Sequence, residues 1–135
     1  MTYIKWIDRD LITAPYCIGL CQSERSFVKE MQRLKVKDIP EWIGEGKDAT
    51  VHYVADNKSR GKCCIVCIRE RPDTTPNEII GLIVHEATHC FQWICQDMNE
   101  KDPSSEFEAY AIQGISQKLI TEYKMAKKGK GKHKN

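Results

Sequence analysis

The segment that begins at Thr75 carries the strongest helix-start signal in this 135-residue chain. Thr75-Pro76-Asn77-Glu78 places a capping Thr first, Pro at the first helical position and Glu three residues after the cap. Apolar residues then recur at helical spacing, at Ile79, Leu82, Ile83, Ala87, Cys90, Phe91 and Ile94. The pattern predicts a long helix from Pro76 to about Met98, and the fold has to bury one of its faces.

Four further elements can be placed around this helix. Ser23 caps a predicted helix over residues 23–35, and residues 50–55 and 63–69 read as a pair of antiparallel strands. A last long helix is predicted over residues 104–124, with apolar residues at Phe107, Ala111, Ile115, Leu119 and Ile120. We therefore expect an α+β fold, in which a small antiparallel sheet packs on the helix from Pro76 and on the long helix that follows.

Basic residues are concentrated at the C-terminal end. Six of the 21 Lys and Arg residues lie from Lys124 onward, where there is no acidic residue, so the part before Lys124 carries 15 basic and 19 acidic residues. We predict one domain over residues 1–124 and a disordered Lys-rich tail over residues 125–135. The acidic body does not indicate nucleic-acid binding, and the tail would add only a weak, salt-dependent attraction.

Neither a membrane span nor a secretion signal is indicated. No stretch approaches the roughly 18 consecutive apolar residues that a transmembrane helix needs. The first eight residues lack the basic-then-apolar order of a signal peptide. We therefore predict a cytoplasmic protein with no membrane partner.

Seven cysteines are many for a chain of this length. In a cytoplasmic protein they are expected to be free thiols, which pack like small apolar side chains. A zinc site on Cys64 and Cys67, or on Cys17 and Cys21, is the less favoured alternative, because neither pair has a matching second C-x-x-C.

The sequence His85-Glu86-Ala87-Thr88-His89 lies inside the predicted helix from Pro76. Side chains four residues apart project from one helix face, so both His can reach one zinc ion at roughly 2.0–2.1 Å. Glu86 lies one step round the helix, where it can hold and deprotonate a water at the metal. The motif predicts a catalytic zinc site; the alternative is that these are ordinary helix residues.

A catalytic zinc site needs a third protein ligand and one open position. The other histidines are His52 and His133, and His133 lies in the predicted tail. Glu106 and Glu108 are better candidates, because they open the helix that follows the motif helix. They point about 200° apart. Because Ser105-x-x-Glu108 has the pattern of a capping box, we assign Glu106 to the metal and Glu108 to the cap.

Together, these two segments resemble a known family. H-E-x-x-H followed by Glu106-x-x-Ala109 resembles the gluzincin branch of the zincin metallopeptidases, and is loosely similar to the ImmA/IrrE type of small bacterial zincins. Short phage and prophage proteins share a closer pairing of H-E-x-x-H-x-x-Q with E-x-x-A-Y-A-I-Q, matched here by residues 85–92 and 106–113. The resemblance implies a minimal zincin fold, with an edge strand that can align an extended peptide.

The resemblance also implies roles for individual residues. His85, His89 and Glu106 correspond to the zinc ligands, and Glu86 to the general base. Tyr110 stands where many gluzincins have an Asp that is hydrogen-bonded to a ligand His. It is therefore a candidate either for that contact or for stabilising the oxyanion.

These observations predict a zinc-dependent metallopeptidase-like hydrolase that cleaves an amide bond in a peptide or protein. Glu86 would take a proton from the attacking water and deliver it to the leaving amine. His52, Tyr53 and Tyr110 are candidate donors to the oxyanion, although for His52 a structural role in its strand is favoured. The alternative from another class is a catalytically inactive, zinc-stabilised binding protein of phage origin that engages a host protein through the groove expected to hold the peptide. For a phage-encoded chain the predicted compartment is the host cytoplasm.

Overall fold

The computed structural model describes residues 4–7, 15–55 and 61–133, with side chains described up to residue 128. The predicted turn at residues 56–61 lies outside these ranges except for Gly61. Within them, the chain is an α+β protein whose elements are β1 (Lys5–Trp6), β2 (Cys17–Cys21), α1 (Glu24–Arg33), β3 (Ala49–Val54), β4 (Cys63–Ile68), α2 (Pro76–Asp97) and α3 (Ser105–His133).

One sheet carries the four strands in the order β1-β2-β4-β3. β3 is antiparallel to β4, as predicted, with Ala49 opposite Ile68 and Val54 opposite Cys63. β2 runs parallel to β4, so the sheet is mixed and the expectation of an antiparallel sheet is wrong in this respect. β2 was not predicted, because all five of its residues are buried and its sequence shows no alternation of apolar and polar residues.

Helices cover both faces of the sheet. Leu20 and Val66 point to one face, where they share a core with Ile83 of α2. Ile65 points to the opposite face and shares a second core with Phe27 of α1. β2 and β4 are therefore the central strands, whereas β3 lies at an edge of the described sheet, beside α2.

The predicted starts of α1 and α2 are confirmed. The hydroxyl of Thr75 accepts a hydrogen bond from the backbone N–H of Glu78 at 3.2 Å, and the carboxylate of Glu78 accepts one from the backbone N–H of Thr75 at 3.0 Å. Ser23 caps α1 by accepting from the N–H of Ser26. None of the helices in the described ranges is long and apolar enough to cross a membrane.

The start of α3 differs from the prediction. The backbone N–H of Phe107 donates to the hydroxyl of Ser104 at 3.3 Å, so Ser104 caps the helix and Ser105 is its first residue. The predicted capping box of Ser105 and Glu108 is therefore wrong, because its register is shifted by one residue. The reason for assigning Glu108 to a cap disappears with it.

The end of α3 also differs from the prediction. The helix continues to His133, whereas the sequence predicted an end near Lys124 and a disordered tail after it. Glu70, just beyond β4, accepts a hydrogen bond from the hydroxyl of Tyr123 at 2.8 Å, and its other carboxylate oxygen lies 2.5 Å from Nζ of Lys127. Lys is a good helix former, so the helix continues at little cost. Residues 134 and 135 lie outside the described part.

All seven cysteines are buried free thiols, as predicted. In the parallel pair of β2 and β4, Cys17 lies opposite Cys63 and Cys21 lies opposite Cys67. These four thiols belong to the core beneath α1. They fill it as small apolar side chains.

Candidate metal centre

A cleft of about 710 Å³ lies between β3 and α2. One wall is formed by residues 47–51 and Tyr53, and the other by residues of α2, including Glu78, Leu82 and the His and Glu residues of the motif. The cleft lies at this position because β3 is an edge strand. The side of β3 that has no neighbouring strand is open beside α2. His85, Glu86 and His89 therefore share one solvent-accessible cavity.

The two histidines of the motif face each other across one turn of α2. Nε2 of His85 lies 3.2 Å from Nε2 of His89, and both side chains are exposed. Two nitrogens at this separation, each roughly 2.0–2.1 Å from a shared ion, subtend an angle of about 100° at that ion, close to the tetrahedral angle that zinc prefers. The pair therefore fits two of the protein ligands of a zinc site.

Glu86 lies between the histidines in sequence and deeper in the fold. Only 6% of the residue is exposed, yet it contributes to the cleft. Burial raises the pKa of its carboxyl group, while smaller electrostatic contributions from His85, His89 and Lys47 lower it. A carboxylate that is partly desolvated and open to the cleft has the properties of a general base.

Tyr53 of β3 brings a hydroxyl group to the same part of α2. Its hydroxyl donates to the carbonyl oxygen of His89 at 3.4 Å, and its ring stacks on Trp93 with 5.0 Å between centroids. Burial, with smaller contributions from neighbours such as Cys90, raises the pKa of Tyr53 to about 12. Tyr53 is therefore a protonated hydrogen-bond donor at neutral pH. The sequence included it only as one of three candidates.

Gln92 contacts the far side of His89. Its Oε1 lies 3.0 Å from Nδ1 of His89, the ring nitrogen that does not face His85. Gln92 has no role predicted from the sequence, although residues three apart on a helix are neighbours. That spacing is the signal that could have identified it.

The other two candidate donors do not line the cleft. Nε2 of His52 lies 2.8 Å from the carbonyl oxygen of Trp42, and its ring packs on Phe27 beneath α1. The structural role favoured for His52 is therefore confirmed. Tyr110 is 61% exposed on α3 and is not among the residues of the cleft. Its predicted contact with a ligand His stays a prediction.

Neither glutamate at the start of α3 is brought to the two histidines. Phe107 lies against Phe91, with 5.9 Å between ring centroids, and Phe91 projects from α2 about 200° round from His89. Glu106 is exposed, and Glu108 lies beside Gln92 in a second cavity of about 440 Å³. Across the described ranges, no group of three His, Cys, Asp or Glu side chains is placed to hold a metal ion. The assignment of Glu106 stays a prediction.

The remaining carboxylates of the cleft are engaged elsewhere. Asp48 lies 2.5 Å from Nε of Arg71, and Glu78 completes the cap of α2. Both therefore have partners that a metal would have to displace.

The outer edge of β3 presents backbone groups to the cleft side. The backbone N–H of Arg69 donates to the carbonyl oxygen of Asp48, so the even-numbered residues of this strand bond towards β4. Because an antiparallel ladder alternates, the N–H and C=O groups of Ala49, Val51 and Tyr53 point away from β4. An exposed edge of this kind can pair with an extended peptide.

No protein-family model, curated protein or solved structure matches this chain significantly.

Proposed function

We propose that this protein is a zinc-dependent metallopeptidase-like hydrolase that cleaves amide bonds in extended peptides. One observation carries the proposal: the Nε2 atoms of His85 and His89 lie 3.2 Å apart in the same cleft as the buried carboxylate of Glu86. Two histidines with only a structural role at the surface would not require a buried carboxylate beside them. A metal-assisted hydrolase needs imidazole ligands at this spacing and a nearby base that does not bind the metal.

In this proposal His85 and His89 hold the metal, and Glu106 is the third ligand. Asp48 and Glu78 are the other carboxylates of the cleft apart from Glu86, and both are already paired. The start of α3 is therefore the better source of the third ligand. Glu106 is exposed, and because the structure does not bring it to the two histidines, the start of α3 would have to approach them when zinc binds.

Glu86 is the proposed general base. When bound, zinc supplies Lewis acidity, which polarises a carbonyl group and acidifies a water molecule. The Glu86 carboxylate accepts the proton of the attacking water and then donates it to the amine of the cleaved bond. Its raised pKa moves it towards the range in which one carboxyl group can both take and return a proton near neutral pH.

Tyr53 is the proposed donor to the oxyanion. Its hydroxyl lies at the carbonyl of His89, on the wall of the cleft opposite the motif. The pKa of about 12 keeps this hydroxyl protonated, and the stack on Trp93 restricts the ring. A donor that is held in place before the reaction stabilises developing negative charge without reorganisation.

The edge of β3 suits an extended peptide as substrate. Ala49, Val51 and Tyr53 direct backbone donors and acceptors away from β4, along the wall that faces His85 and Glu86. A peptide paired with this edge would run past the histidines in an extended conformation. Its backbone amides would then be held next to the general base.

The proposal can be tested with a pool of unstructured peptides. The zinc-loaded protein is incubated with the pool, and new peptide termini are identified by mass spectrometry. We expect the wild type to cleave and Glu86→Gln to be at least about 10²-fold slower. Glu41→Gln, at an exposed glutamate outside the cleft, is the matched control and should cleave like the wild type. Intact peptides after incubation with a zinc-loaded wild type would contradict the proposal.

A second candidate function is peptide binding without hydrolysis. It is favoured by one observation: in the part of the chain that the structure describes, the two histidines are not joined by a third metal-binding side chain. The cleft and the β3 edge would then hold a segment of a host protein. In that case the wild type and Glu86→Gln would bind the same peptides, and neither would cleave them.

A further inference from the structure

Gln92 lies directly behind one of the two proposed ligands. It is three residues after His89 on α2, and its Oε1 lies 3.0 Å from Nδ1 of that ring. Gln92 does not line the cleft but faces the second cavity, on the other side of the imidazole. The ring of His89 is therefore held between an amide oxygen on one side and Nε2 of His85 on the other.

This contact decides which nitrogen of His89 carries the proton. An amide oxygen can only accept a hydrogen bond, so its position at 3.0 Å from Nδ1 of His89 favours Nδ1 as the protonated nitrogen in the neutral ring. Nε2 is then left with its lone pair, and this is the atom that lies 3.2 Å from Nε2 of His85. In a neutral imidazole the hydrogen bond of one nitrogen sets the role of the other.

We propose that Gln92 is a positioning residue that holds His89 in the Nδ1–H tautomer and so prepares its Nε2 for a metal ion. The inference rests on the proposed function for the metal ion, but the tautomer of His89 can be measured in the metal-free protein. Partners that fix a ligand imidazole in this way are typically worth 10- to 100-fold in metal affinity. Gln92 does not line the cleft and contacts the ring of His89, so its effect passes through His89.

Zinc affinity provides the first test, measured by competition with a chromophoric chelator. Gln92→Met keeps the length of the side chain but removes the acceptor, and we expect zinc to bind about 10- to 100-fold more weakly. Gln92→Glu restores an acceptor oxygen and should recover near wild-type affinity. Gln96→Met makes the same change one turn later on α2, at an exposed position, and should bind zinc like the wild type.

The tautomer provides the second test and needs no metal. Imidazole ¹⁵N chemical shifts of His89 should report the Nδ1–H form in the wild type and loss of its dominance in Gln92→Met. If the wild type binds no zinc but the tautomer changes in this way, the metal function fails and the positioning role of Gln92 stands. If Gln92→Met leaves both the tautomer and the zinc affinity unchanged, the positioning role is overturned, whatever the wild type binds.

Discussion

The rings of Tyr53 and Trp93 stack with their planes 19° apart, and this stack holds the Tyr53 hydroxyl at the carbonyl of His89. Replacing Tyr53 by Phe keeps the stacked ring and removes only the hydroxyl. If this hydroxyl stabilises the oxyanion, kcat should fall about 10²- to 10³-fold while zinc content is unchanged. Steady-state hydrolysis of a cleaved peptide measures the effect.

Tyr110→Phe serves as the comparison, because the family resemblance gave Tyr110 the same candidate role. Tyr110 is 61% exposed and lies outside the cleft. A large loss of kcat in Tyr110→Phe, with Tyr53→Phe fully active, would reverse the assignment. It would also require α3 to approach the cleft during catalysis.

The third zinc ligand can be identified by a pair of substitutions in α3. We expect Glu106→Ala to weaken zinc binding strongly, because a site left with two protein ligands is incomplete. Glu108→Ala lies two residues away, on the side of α3 that faces Gln92 and Cys95, and should keep its zinc. Metal content after dialysis measures both variants. Zinc retained in Glu106→Ala and lost in Glu108→Ala would make Glu108 the third ligand in place of Glu106.

The packing of β1 on β2 depends on the absence of a side chain at Gly19. A Cβ at this position would lie 2.7 Å from Cγ2 of Ile4 and 2.9 Å from Cε3 of Trp6. We therefore expect Gly19→Ala to lower the free energy of unfolding by about 1–3 kcal/mol in urea titrations.

Gly114 provides the matched control, because a Cβ there meets nothing within 4 Å. Ala is favoured over Gly inside a helix by roughly 0.5–1 kcal/mol, so Gly114→Ala should raise stability. A Gly19→Ala variant as stable as the wild type would mean that β1 does not pack on β2 as described.

Stability at alkaline pH should depend on Tyr16. Its hydroxyl donates to Oδ2 of Asp97 at 2.5 Å, and burial, with this hydrogen bond, raises the pKa of Tyr16 from 10.0 to about 12. A raised pKa stabilises the fold below pH 10, and this contribution is lost as the pH rises towards 12. The difference in unfolding free energy between wild type and Tyr16→Phe should therefore shrink over that interval. A difference independent of pH would contradict this.

Stability at acid pH should depend on Asp97, the residue that accepts the hydrogen bond of Tyr16. Lys62 Nζ lies 2.8 Å from Oδ2 of Asp97, and its hydrogen bond, followed by that of Tyr16, lowers the pKa of Asp97 below its ordinary value of 3.8. A lowered pKa stabilises the fold above pH 3.8, and the contribution is lost as the pH falls further. The advantage of wild type over Asp97→Asn should disappear in that range, as measured by urea unfolding. An advantage that persists there would contradict the assignment.

The elements with strong local signals could be predicted from the sequence. The cap at Thr75 depends on neighbouring residues alone, and both of its hydrogen bonds are present. The antiparallel pair of β3 and β4 follows from two β-rich segments separated by a short connection. The spacing that brings His85 and His89 together is likewise a property of one helix.

The features that depend on how separate elements pack could not be predicted. β2 has no alternation to detect, because helices cover both of its faces. The distance along the chain from His89 to Glu106 permits a helix to return on either side of α2. The observed side is set by contacts such as Phe91 with Phe107, which no local pattern encodes. For the same reason Tyr53 was only one of three candidate donors and Gln92 had no predicted role, since each is placed beside His89 only by the fold.

Zinc stoichiometry tests the central claim most directly. The wild type, His89→Ala and Glu86→Gln are dialysed against trace zinc, and metal and protein are quantified. We predict close to one zinc per chain for the wild type and for Glu86→Gln, because Glu86 is a base and not a ligand, and almost none for His89→Ala. Equal zinc content in the wild type and His89→Ala, or none in the wild type, would contradict a metal centre on α2.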